Sequence, residues 1–236
     1  MLPLDPPFLE LAYYVGSSNA QEQGVRAAEA MAQVGARFTG KVDIANGDTV
    51  SKLSLDALGS IRTQAAGVLR RIYLDNATGM TKKTELIEIN RGVILLRTEG
   101  EEFCGPNRAR RAQLYRLGTR AYRCFKVLAL AIESYYGALC GEYSLEEPPD
   151  LKRDPRSLAF RNFFISRAAF GRGAIEAVQD IVGTDVYVEE FDDRGLYVSM
   201  SPEFNPDHRA VETIEAQHRS IRVAELLAKH LRFTPP

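Results

Sequence analysis

The sequence predicts an α+β fold: two open-faced β-α-β-β units joined by a long central helix, with a helical C-terminus. Three observations predict it. A pattern of strand, glycine-bearing loop, helix and hairpin runs from residue 8 to residue 53 and returns from 161 to 200. Between the two, residues 107–136 keep an apolar stripe at helical spacing. Short runs of β-branched and aromatic residues alternate with turn signals such as Asn46-Gly47. The composition suits a globular chain: 236 residues, 45% hydrophobic and 26% charged, allow a core without disulfides or metals.

The prolines at positions 3, 6 and 7 make an irregular lead-in. Phe8 to Val15 reads as a strand, because Tyr13, Tyr14 and Val15 favour extension. Residues 21–36 are rich in helix formers, and Val25, Ala28, Met31, Ala32 and Gly35 give one buried face. Lys41 to Ala45 and Thr49 to Leu53 flank Asn46-Gly47 as a hairpin. Ser54 then stands as the N-cap of a short helix. Val68 to Leu74 is a strand, and residues 84–97 form a hairpin turning near Asn90-Arg91-Gly92.

A long helix is expected from Asn107 to Tyr136, with Leu114, Leu117, Ala121, Phe125, Leu128 and Ile132 on one side. The proline-rich polar stretch at 146–156 reads as a linker. After it come a strand over Arg161–Ser166, a loop at Gly171-Arg172-Gly173 and a helix over Ala174–Val182. A hairpin of Asp185–Phe191 and Leu196–Met200 follows, then two helices, 206–218 and 219–231. The domain organisation is therefore an N-terminal module with an extra hairpin (1–105), a basic amphipathic helix (106–145), a linker (146–156) and a C-terminal β-α-β-β-α-α module (157–236). Gly24-Val-Arg-Ala-Ala-Glu-Ala-Met aligns with Gly171-Arg-Gly-Ala-Ile-Glu-Ala-Val, yet identities are few. Duplication and simple recurrence of a common unit both stay open.

Charge and cysteine content narrow the functional classes. The formal net charge is −1, so no global field draws the protein to nucleic acid or membrane. Cys104, Cys124 and Cys140 form no CxxC pair, which argues against a zinc knuckle or redox dithiol and fits a reducing compartment. The opening MLPLDPPFLEL has no basic region followed by an apolar run, so a cytoplasmic location is expected. The longest apolar region, Val127 to Cys140, is too short and too polar to span a bilayer.

Several residues over 8–75 carry a resemblance: Arg26-Ala-Ala, Phe38-Thr-Gly-Lys-Val-Asp-Ile-Ala-Asn-Gly, Ser54-Leu-Asp-Ala-Leu-Gly-Ser-Ile, and Thr63-Gln with Gly67-Val after it. In order and spacing this segment resembles the histidine-containing phosphocarrier protein family, HPr, of the bacterial sugar phosphotransferase system. The resemblance implies an HPr-like first unit. Matching the family's helix-start arginine to Arg26 puts Gly24 where the phosphorylated histidine belongs. The chain has no histidine before His208, so this segment has no imidazole nucleophile for phosphate relay. The resemblance places the family's regulatory serine at Ser54, a candidate phosphorylation site.

The strongest charge anomaly lies on the long helix. Arg108, Arg110, Arg111, Arg116, Arg120, Arg123 and Lys126 occur with no acid among them. All but Arg110 project within half the circumference, opposite the apolar stripe, with Tyr115 and Tyr122 beside them. Such a face suits an acidic protein partner, or nucleic-acid phosphates with the tyrosines stacking on bases. It also suits plain solvation, with pairing to Glu99, Glu101 or Glu102. Two further loops offer anion sites: Gly16 to Gly24 leading to Arg26, and Phe170-Gly-Arg-Gly173 with Arg172. His208, His218 and His230 have no nucleophile or ligand spacing around them, and the acids Glu189, Glu190, Asp192 and Asp193 read as turn chemistry. No P-loop, GxSxG, Cys-His or kinase pattern occurs.

The expected function is a non-enzymatic regulatory or binding protein with a degenerate phosphocarrier-like module and a protein partner. Nucleic-acid binding through residues 108–126 is the alternative, and an enzyme acting on an anionic small molecule is the second. No cofactor, metal or membrane is expected, and the strand edges and apolar stripe point to a homodimer.

Overall fold

The computed structural model describes residues 8–15, 20–64, 67–81, 83–90, 92–99, 111–141 and 155–230. Alternation along β1 (Phe8–Val15) sets out its layers. Leu9, Leu11, Tyr13 and Val15 enter one core cluster, while Ala12 and Tyr14 enter a second on the other face. β1 is thus buried on both sides, with the ion-paired Glu10 beside Ala12 and Tyr14, and lies inside the sheet.

The chain continues through α1 (Ala20–Gln33), β2 (Arg37–Asn46), β3 (Thr49–Ser54), a 3-10 turn at Leu58–Ser60 and the one-turn helix α2 (Ile61–Gln64). β4 (Val68–Asp75), β5 (Thr84–Asn90), β6 (Val93–Glu99), α3 (Arg111–Ala131) and β7 (Ser134–Gly141) follow. The last part holds β8 (Asn162–Ser166), α4 (Arg167–Val182), β9 (Tyr187–Phe191), β10 (Gly195–Ser199), a 3-10 turn at Pro202–Phe204 and α5 (Thr213–His230). The fold is α+β. Among the described residues, ten strands join one antiparallel sheet in the order β3-β2-β4-β5-β6-β1-β7-β8-β10-β9.

Helices cover the two faces at different places. α1 and α3 contribute Val25, Ala28, Met31, Ala121, Phe125 and Leu128 to the first cluster, against Ile72, Ile87 and Leu96 of the sheet. α4 and α5 contribute Ile175, Val178, Val223 and Leu227 to the second, against Tyr136, Phe163, Ile165 and Val198. An aromatic chain ties α3 to the C-terminal strands: Tyr13 stacks on Phe125 at 4.9 Å, Phe125 meets Tyr197 at 5.5 Å, and Tyr197 stacks on Phe191 at 5.3 Å. The Tyr13 hydroxyl donates to the Phe125 carbonyl at 2.7 Å, which fixes the height of α3 over β1.

Both hairpins form, but the first turns on Gly47-Asp48 rather than Asn46-Gly47. Asn46 faces Thr49 across a two-residue loop in which Gly47 takes φ 60°, and Asn90 faces Val93 with Gly92 at φ 86°. Other expectations are corrected. The two units do not form separate modules. They share one sheet, their helices lie on opposite faces, and β4, β5 and β6 separate β1 from its own hairpin. The long helix does not run to Tyr136 or on to 145. It ends at Ala131, and Ser134–Gly141 becomes β7, between β1 and β8. The apolar run hides this switch, because a buried strand and a buried helix read alike. Tyr135-Tyr136-Gly137 breaks the helical preference there.

The expected C-terminal helix pair is one helix, α5, preceded by extended chain in which Val211 donates to the Met200 carbonyl. Ser54 is not an N-cap. It is the last residue of β3, opposite Lys41, and the helical turn starts after Ala57. The Gly171–Gly173 loop lies inside α4, where Gly171 makes a kink at φ 75° and ψ 168°. The linker at 146–156 lies mostly outside the described residues.

Candidate functional site

α3 positions its cations by simple helical geometry. Leu114, Leu117, Ala121, Cys124, Phe125 and Leu128 face the sheet, so residues at 116, 120 and 123 crest the outer side. Arg116 and Arg123 are exposed and make no ion pair or hydrogen bond among the described residues. The Arg120 guanidinium donates to the Gly79 carbonyl and has no carboxylate partner there either. α3 itself carries no acid. Arg26 and Arg62 occupy the acids of neighbouring α1: Arg26 pairs with Glu22 at 3.3 Å and Arg62 with Glu29 at 2.6 Å. Among the described residues, the ridge Arg116–Arg120–Arg123 therefore has no carboxylate partner.

The other expected site residues separate from this ridge. Lys126 belongs to an internal ion pair, with Nζ 2.7 Å from Glu189 Oε1 and the ammonium over the Phe191 ring. Arg111 donates to the Tyr115 hydroxyl at 2.7 Å and lies over that ring. Arg108 and Arg110 lie outside the described residues, as do Cys104, Glu101 and Glu102. The tyrosines are not free to stack on bases. Tyr122 is buried in the aromatic core, and Tyr115 stacks on His208 at 4.2 Å. Arg26 also reaches Glu133 at 3.1 Å, and Arg172 pairs with Glu176 at 2.8 Å on its own helix. These two arginines lie on opposite faces of the sheet, so no one pocket joins them. Gly24 is buried in α1, and a Cβ there would meet Ile89 Cδ1 at 2.2 Å, so the position has no room for an imidazole.

Glu189 is a hub that the sequence reading passed over as turn chemistry. It accepts from Tyr122, from Tyr187 at 2.8 Å and from Lys126 at 2.7 Å. Burial acts to raise its carboxyl, but these donors, led by Lys126, outweigh burial and set it below the ordinary 4.5. Burial, then the bond to Glu189, pushes the Tyr187 hydroxyl up to about 12. All four groups are mutually satisfied, which marks a clamp between α3 and edge strand β9. Nothing in the sequence points to it, because Lys126 and Glu189 are 63 residues apart.

Cys124 is buried under α3, and burial followed by nearby Glu85 pushes its thiol up to about 12, which makes it a poor nucleophile. No group of three potential metal ligands occurs among the described residues. A cavity of about 650 Å³ opens between the end of α3, the start of β7 and the β9–β10 turn, with Ser134, Ser166, Asp193 and Arg194 on its wall. No expected site residue lines it.

Comparison with known proteins adds little. No protein-family model matches the chain, and no curated protein does. Among solved structures, the Pseudomonas aeruginosa T6SS protein PA0821 is similar, with a TM-score of 0.48 and 11% identity over 98% of this chain and 76% of that chain. At that level of likeness, no role passes from one chain to the other.

Proposed function

We propose that this chain is a non-enzymatic regulatory or binding protein that docks an acidic protein partner on the outer ridge of α3. The single observation that carries the reading is the run Arg116, Arg120 and Arg123, one helix crest with no carboxylate partner among the described residues. An acidic surface laid on it gains charge-assisted hydrogen bonds without breaking an existing ion pair. The occupied tyrosine faces support a protein partner over nucleic acid, since base stacking is the usual companion of a phosphate-binding groove.

In this reading residues 8–75 are a phosphocarrier-like module without its chemistry. Their order of strand, helix, hairpin, short helix and strand supports that likeness, and the closed surface at Gly24 supports the loss of relay. The protein acts in the cytoplasm, in keeping with the buried thiol of Cys124. The sheet edges β3 and β9 offer the surface for a homodimer.

The test is titration of the purified protein with poly-L-glutamate and, separately, with single- and double-stranded DNA oligonucleotides, at several salt concentrations. Poly-L-glutamate is expected to bind, to weaken as salt rises, and to lose roughly tenfold or more in affinity in Arg116→Glu/Arg120→Glu/Arg123→Glu. Tighter binding of DNA with a steep salt slope transfers the ridge to nucleic acid. Absence of binding to any of these polyanions makes it a solvated face and removes the proposal.

A further inference from the structure

β3 ends the sheet, and no strand among the described residues pairs with its outer edge. Its side chains divide by face. Leu53 packs against the first core cluster, so Val50 and Lys52 take the opposite face. Two rows of neighbours cross the strands on that face. In the first, Val50 stands opposite Ala45, and Ala45 opposite Val68. Val50 is 60% exposed and Val68 45%, so this apolar row runs out to the edge uncovered. The second row alternates in charge: Glu88 is opposite Arg71, Arg71 opposite Asp43, and Asp43 opposite Lys52. Arg71 binds Glu88 at 2.8 Å and stands 3.8 Å from Asp43. Arg71 and Val68 are three residues apart, and they share a face because of a bulge. Asp43 pairs with Arg71 but Ile44 with Leu69, which leaves Arg70 as the extra residue.

The free edge is complementary to itself. Asn46 and Thr49 close a two-residue hairpin, so Thr49, Ser51 and Leu53 turn their N–H and C=O groups toward β2. Val50 and Lys52 turn theirs outward. Antiparallel pairing of two copies about Val50 sets that residue against its own counterpart. The same register sets Lys52 of each copy against Asp48 of the other. Lys52 lies over the Tyr73 ring and makes no ion pair among the described residues. Asp48, exposed in the hairpin turn, makes none either. The apolar row then continues from Val68 of one copy to Val68 of the other, and each alternating row gains one further carboxylate. A lysine on an edge strand ordinarily blocks strand addition. Here it meets an acid at the position where a like charge would repel. β9, at the other end of the sheet, lacks this symmetry. It carries Glu189 and Glu190 with no base. Arg209 also donates to the Thr184 and Val186 carbonyls beside it, both at 3.3 Å.

We propose that two copies of this chain join edge to edge through β3, antiparallel about Val50, into one continuous sheet. The proposal rests on the homodimer reading above and chooses its edge and register. The contact is isologous and one strand wide, so the dimer is a weak one that forms in the micromolar range and above.

Sedimentation of the protein across the micromolar to millimolar range tests it. A concentration-dependent dimer is expected. Val50→Lys and Asp48→Lys, both at exposed positions, set like charges against each other across the twofold axis. Each is expected to weaken the dimer roughly tenfold, with an unchanged far-ultraviolet spectrum. Val50→Cys is expected to give a disulfide-linked dimer on air oxidation, with peptide mapping locating the link at position 50 of both copies. The wild type, with its own cysteines, and Glu190→Cys on β9 are expected to stay unlinked. A monomer at every concentration overturns the proposal and the homodimer reading together. A dimer that tolerates both lysine variants, or one that links through Glu190→Cys and not Val50→Cys, overturns the β3 register and leaves the homodimer. The ridge variant Arg116→Glu/Arg120→Glu/Arg123→Glu is expected to dimerise like the wild type, so docking on α3 stands or falls separately.

Discussion

Glu189 is the residue whose chemistry reaches furthest across the fold. Its carboxyl sits below the ordinary 4.5, so its contribution to stability is present above that value and is lost as pH falls through the folded value. Glu22, lowered by the Arg62 hydrogen bond, and Asp185, lowered by Arg219, act in the same direction. Glu189→Gln is expected to cost about 1–2 kcal/mol at neutral pH, because Lys126 and two tyrosines lose a charged acceptor. The difference from wild type is expected to shrink on acidification below pH 4.5, measured by urea melts across the range. A gap that stays constant down to pH 3 removes the charged clamp (the low end of the titration range for ordinary carboxylates is about 3). None of this was legible beforehand, since its partners meet only when α3 crosses the sheet onto β9. Gly24 is the contrasting case. Its lack of a side chain was read directly, and the structure adds the cause, a β5 isoleucine pressed against the helix.

At the scale of elements, α4 tests how a helix tolerates its glycines. Gly171 kinks it at φ 75° and ψ 168°, a region that glycine alone occupies without strain. Gly173, two residues on, has nothing within 4 Å of a built Cβ and no positive φ. Gly171→Ala is therefore expected to lower stability by about 1–3 kcal/mol, while Gly173→Ala raises it by about 0.5–1 kcal/mol. Denaturant midpoints of the two variants check this, and similar shifts for both remove the kink as a specified feature. Elements with strong local signals were legible: β1, α1, the two hairpins and the body of the basic helix. The end of that helix was not, because Val127 to Cys140 is apolar throughout except at a few positions. Gly137 is the residue that decides it, since a Cβ there would meet Tyr13 and Phe125, and only the strand lets the sheet close that tightly. The bulge in β4 at Arg70, where Asp43 pairs with Arg71 but Ile44 with Leu69, was likewise hidden, because register is a property of pairs of strands.

For the whole molecule, the shared sheet replaces the two modules that the repeated pattern suggested. Ala12, Tyr14, Val93 and Leu95 from the first half pack in one cluster with Phe163, Ile175 and Leu227 from the second. The protein is therefore expected to unfold in one cooperative step, with equal calorimetric and van't Hoff enthalpies. Two resolved transitions would restore the two-module picture. No helix of the described residues is long and apolar enough to cross a membrane.

The central place of β1 has a consequence for synthesis. β1 takes its neighbours from much later in the chain, β6 on one edge and β7 on the other, so that Leu9 waits for Gly141. Until β7 leaves the ribosome, the emerging chain presents an apolar strand with an open backbone edge. Such distant closure slows folding, and it makes this nascent chain a natural client for whatever shields unfinished sheets.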